Sequence, residues 1–180
     1  MHLHFLARLS LVFAFFNNVA FSATIVNGDT SSNITAHITQ ADNLTVTDDK
    51  GGWFDRGLEL QQLGGWDTPF AVGARLRILS SSGTFQVRLD EPLRIQNTND
   101  PSQVFIDPEI KFGNEGDLSV PLLVGKNSSF QNPVAEPGDD SIGYYDLSIT
   151  AMPPEGDFKT TTGTYSGVLS LIFEPVVRIP

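Results

Sequence analysis

Once the first 22 residues are set aside, a single histidine, His37, remains, and the chain has no cysteine. A Ser-His-Asp or Cys-His nucleophilic centre needs an imidazole base, so it would have to be built on His37. That residue lies in "SSNITAHITQA" (31–41), on the polar side of an alternating stretch, and nothing around it suggests a catalytic pocket. Carboxylates are plentiful, and a suitably spaced pair can hydrolyse a glycosidic bond. However, Asp48, Asp49, Asp139 and Asp140 sit in turn sequences, where acids commonly bond to their own backbone. The oxygen-rich "NTNDPSQ" and "GNEGD" segments offer cation ligands, but their spacing matches no EF-hand-like loop. "GGWFD" (51–55) and "GGWD" (64–67) echo one another. Trp53 and Trp66 are therefore candidate ligand contacts on a sugar-stacking platform, although such residues also cap sandwiches or face each other across hairpins. The residue types predict no catalytic group, no metal and no cofactor.

The elements that must carry these residues follow a period of two. In the opening stretch Ile34, Ala36 and Ile38 share one face, while Thr35, His37 and Thr39 share the other. Such alternation predicts a strand that buries one side. The same pattern recurs at Phe70, Val72, Ala74, Leu76 and Ile78; at Phe85, Val87 and Leu89; and at Tyr145, Leu147, Ile149 and Ala151. The final set is Tyr165, Gly167, Leu169, Leu171 and Phe173. Leu118, Val120, Leu122 and Val124 form another, with Pro121 confining that strand to an edge or a bulge. Turn clusters separate the runs and no stretch sustains a helical period. Short strands with polar turns predict an all-β sandwich of one domain.

Residues 1–22 read as a secretory signal peptide: a short basic start at Arg8, an apolar run, and Ala20-Phe21-Ser22 as a cleavage site. The run is too short to span a bilayer. Removing Arg8 takes the formal charge from −10 to −11. That acidity argues against nucleic acid and anionic membranes as partners. Without disulfides, an exported domain depends on packing and strand pairing for its stability.

The segment "YDLSITAMPPEGDFKTTTGTYSGVLSLIF" resembles the C-terminal hairpin of major pilins of the alternate chaperone–usher class, the class 5 fimbriae typified by colonisation factor antigen I. Its most specific part is "GTYSGVLSLIF". "NITAHITQAD" is similar to the family's mature N-terminus, and "ARLRILSSSGTFQVRLDEPLRI" to its central strands. The resemblance implies an immunoglobulin-like β-sandwich lacking one strand, completed by a donor strand from a neighbouring subunit. It divides the chain into a signal peptide (1–22), an extension with the donor strand (23–41) and a pilin domain (42–180). Ile34, Ala36, Ile38 and Gln40 would be the donor positions, and Tyr165, Leu169, Leu171 and Phe173 would line the groove.

The implied function is that of a structural subunit of an adhesive pilus assembled by donor-strand exchange. Its partners would be identical or related pilins, a periplasmic chaperone, an outer-membrane usher and a tip adhesin. No membrane insertion is expected: the chain would pass through the periplasm to a cell-surface fimbrium. The ten residues before the donor strand, the "PVVRIP" tail and the acidity depart from the family pattern, and they leave open a minor subunit in place of a major one. The alternative is a secreted β-sandwich carbohydrate-binding protein whose opening strand pairs within its own chain, with Trp53 and Trp66 as contacts.

Overall fold

Where the alternation runs uninterrupted it produces long strands. The computed structural model describes residues 32–39, 44–52, 57–65 and 67–176. Its strands are β1 (Ser32–Thr39), β2 (Leu44–Asp48), β3 (Leu58–Glu59), β4 (Gln61–Gln62), β5 (Phe70–Ser80) and β6 (Thr84–Leu89). They continue with β7 (Ile95–Asn97), β8 (Ile106–Asn114), β9 (Val120–Pro121), β10 (Ser128–Gln131), β11 (Ser141–Met152) and β12 (Tyr165–Pro175). One short helix, α1 (Phe158–Thr161), lies between β11 and β12, and the Asp157 side chain caps it by accepting from the Lys159 and Thr160 amides.

Two sheets result. The first runs β10-β6-β12-β1-β3, with β7 also paired to β12; the second runs β2-β5-β11-β8-β9, with β4 paired to β5. Apolar residues of both inner faces meet in one core. Phe85 and Phe173 from the first sheet pack with Phe112 and Tyr145 from the second. The Phe85 and Tyr145 rings stand edge to face at 5.1 Å, and Phe112 and Tyr145 stack at 5.3 Å. Such pairs add about 0.5–1.5 kcal/mol each beyond their area burial. A second aromatic group joins Phe105 to Phe70 and to Tyr165, each at 5.1 Å.

The alternation at 145–151 and 165–173 holds closely: Tyr145, Leu147, Ile149, Ala151, Tyr165, Leu169, Leu171 and Phe173 are all buried. The set at 118–124 does not. Only Val120 and Pro121 form a strand, at the sheet's edge as Pro121 requires, and only Leu122 is buried, whereas Leu118 and Val124 are exposed. The proline removes a ladder donor and the run cannot continue. The larger difference concerns β1. The resemblance places this strand in a neighbouring subunit, but in the single chain it completes its own sheet. Without β1 the apolar edge of β12 would lie open, and the first strand is the segment of this chain that fills it.

Candidate functional site: the edge of the last strand

β12 is flanked on one side by two separate partners. Tyr165, Ser166 and Gly167 pair with Asn97, Gln96 and Ile95 of β7, and Leu171–Pro175 pair with Leu89–Phe85 of β6. Between these ladders the Asp90 amide donates to the Ser170 carbonyl at 3.1 Å. That side of the strand is therefore almost continuously satisfied.

The other side belongs to β1. It pairs with β12 in parallel over eight residues, from Ser32 opposite Tyr165 to Thr39 opposite Ile172. Ile34 stands opposite Gly167 and is fully buried, as period two demands of the apolar face, while Thr35 is exposed. Full burial of such a side chain contributes about 1.5–3 kcal/mol. Ala36 and Ile38 pair through their backbones with Leu169 and Leu171, whose side chains are buried and which the resemblance implies as groove positions. Gln40 lies outside the described residues. Beyond β1, the two-residue β3 pairs only with Asn33 and Ile34.

The residues of "GTYSGVLSLIF" have identifiable tasks here. A side chain at Gly163 would collide with the Asn97 amide. At Gly167 a Cβ would stand 2.6 Å from the Arg94 carbonyl, so glycine lets the end of β7 approach β12. Tyr165 is buried, with its hydroxyl 2.7 Å from the Thr161 carbonyl and 2.9 Å from Gln103 Oε1. The "NTNDPSQ" loop secures the same end of the strand. Asn97 Oδ1 accepts from the Asn99 and Asp100 amides, and Gln103 Nε2 donates to the Thr160 carbonyl. Asp100 Oδ1 accepts from the Ser102 hydroxyl and amide, and these bonds hold its carboxyl below the usual range. These oxygens serve the turn.

Other candidates disperse. Asp48 Oδ1 accepts from the Lys50 and Gly52 amides, as a turn acid does. In "GNEGD" the Asp117 amide closes a turn on the Asn114 carbonyl, while Glu115 pairs with Arg75 at 2.8 Å. Trp53 and Trp66 lie outside the described residues. Asn132, which sequence reasoning passed over, is buried against β5 and β11 of the second sheet. It donates to the Ile78 and Ser141 carbonyls and accepts the Tyr145 hydroxyl at 2.8 Å. Only its place after a short polar strand marks it, and that carries no periodic signal.

The arrangement defines a class: a β-sandwich whose last strand needs a partner strand along one edge, and whose first strand supplies one of the right period. The sequence profile described as CS1 type fimbrial major subunit matches residues 30–174, and the chain belongs to that family. It is a structural subunit of a surface fimbrium, built for subunit–subunit polymerisation and not an enzyme. The CooA pilin subunit from enterotoxigenic Escherichia coli is similar in structure at a TM-score of 0.43, with 11% sequence identity over 76% of this chain and 99% of that one. No curated protein sequence matches the chain.

Proposed function

We propose that subunits join by donor-strand exchange, residues 31–41 of one copy filling the edge beside β12 of the next. The observation that supports this reading is the β1·β12 ladder. The chain's first strand seats an apolar residue, Ile34, beside its last strand, along the edge that β6 and β7 leave uncovered. Strand addition of this kind draws affinity from backbone pairing and register from alternate side chains in pockets. An open edge beside an apolar groove invites aggregation. A periplasmic chaperone would therefore cover it until an outer-membrane usher brings in the next subunit, and a tip adhesin would end the fibre.

The test compares two double substitutions. Ile34→Asp with Ile38→Asp should abolish fibres yet spare chaperone capture, because two charges would enter an apolar groove. Thr35→Asp with Thr39→Asp, on the opposite face, should be tolerated far better. If the isoleucine pair damages the chaperone complex as badly as the fibre, the strand serves its own domain alone.

A further inference from the structure

We infer that a lone subunit closes itself with its own first strand, and that this closed form cannot assemble until β1 is withdrawn. The inference rests on the polymerisation reading above. Its warrant is that the edge a neighbour must fill is already filled, over eight residue pairs, from within the same chain.

Three features make this a seated strand. Ile34 joins the buried core cluster. Its backbone is flanked on both sides, by Gly167 of β12 and by Leu58 of β3. Gly57, at φ +70°, approaches so closely that a Cβ there would stand 2.9 Å from the Ile34 carbonyl oxygen, so the residue just before β3 packs directly onto β1. The seat nevertheless differs from the rest of the fold. Among the described residues, β1·β12 is the one named strand pair that runs parallel; every other is antiparallel. Parallel ladders are slightly less stable per residue. A tethered strand offsets this through its high effective concentration, so a free neighbour at low concentration loses the competition. The tether thus favours the closed state over exchange with a free neighbour, while the parallel ladder is the weaker kind of pairing, which suits a stopper that must later come out.

Cysteine chemistry tests this cleanly because the chain has no thiols of its own. Thr35 and Val168 are direct partners in the parallel register, and both line an open hollow on the sheet's outer face. Adjacent strands lie about 4.8 Å apart, within disulfide reach. In the exported full-length gene product, Thr35→Cys with Val168→Cys should oxidise within one chain at high dilution. The locked monomer should form no fibres, and reduction should restore them. Thr35→Cys with Ser170→Cys is the control. In the observed register these residues are offset by two, roughly 8 Å apart from strand spacing and rise, too far to bridge. They would instead be partners if β1 ran antiparallel with the same face inward and Ile34 opposite Leu171.

Preferential bonding of the control pair in the monomer would overturn the parallel closed state. Failure of the Thr35–Val168 pair to bond, in monomers that still assemble, would overturn the closed state while leaving strand exchange intact. Fibre growth from fully locked chains would overturn both. Should the double-cysteine chains not fold, amide hydrogen exchange on the unmodified monomer decides. Protection at residues 32–39 matching that of β12 supports the closed form, and exchange at the rate of an unstructured peptide overturns it.

Discussion

At the scale of single residues, the fold stands on side chains that tolerate no change of polarity. Leu169 and Leu171 face the core from β12 and are at most 1% exposed. Replacing either with Asp would bury an unpaired charge, and loss of soluble, cooperatively melting protein is expected; unchanged yield and melting would show that this face does not point inward. Tyr145 gives a pH signature. Burial pushes its phenol up to about 12 from the ordinary 10.0. The folded state therefore favours the neutral form, and the resulting stability is fully present below pH 10 and lost as pH rises towards about 12. Tyr145→Phe should flatten that alkaline decline in urea unfolding. At neutral pH it should cost about 1–3 kcal/mol, because the buried Asn132 carbonyl would lose its donor. An undiminished alkaline decline in the variant would assign the effect to another group.

At the scale of elements, removing residues 1–43 should leave β12 with a bare edge and the remainder prone to aggregate. Adding a peptide of residues 31–41 should raise its melting temperature, while the same peptide with Ile34→Asp should not; equal rescue by both would refute a pocket at that position. Besides β1, the strands that sequence alone reveals are β5, β6, β11 and β12, where no proline interrupts the alternation. β8 escapes because Pro108 falls inside it and Asp107 takes a φ of +47°, a conformation tolerated by aspartate but rare for most residues. The ladder to β11 shifts register there, between Thr150 and Met152. Phe105 and Phe112, both buried, are hidden with it. For β1 the period of two shows that one face must be covered. It carries no information about whose sheet does the covering, since Tyr165–Ile172 presents the same edge to any copy of the strand.

For the molecule as a whole, acidity and topology govern assembly and strength. Every copy carries the same net negative charge, −10 over the full sequence, so subunits repel as they approach. Raising ionic strength from 0.01 to 0.15 M shortens the screening length from about 30 to about 8 Å. Fibre growth followed by light scattering should accelerate accordingly, and a rate that falls with salt would point to attractive charge steering between copies. The parallel course of β1 beside β12 also sets a load path. Ser32 lies beside Tyr165 and Thr39 beside Ile172, so tension between the chain's amino end and its carboxyl end pulls these neighbours in opposite directions along their length. The ladder is then loaded in shear, its backbone bonds resisting together instead of parting one by one like a zipper. Stretched by its ends in a force microscope, the closed subunit should yield at a higher force than when the same ladder is peeled apart from a handle placed at position 39.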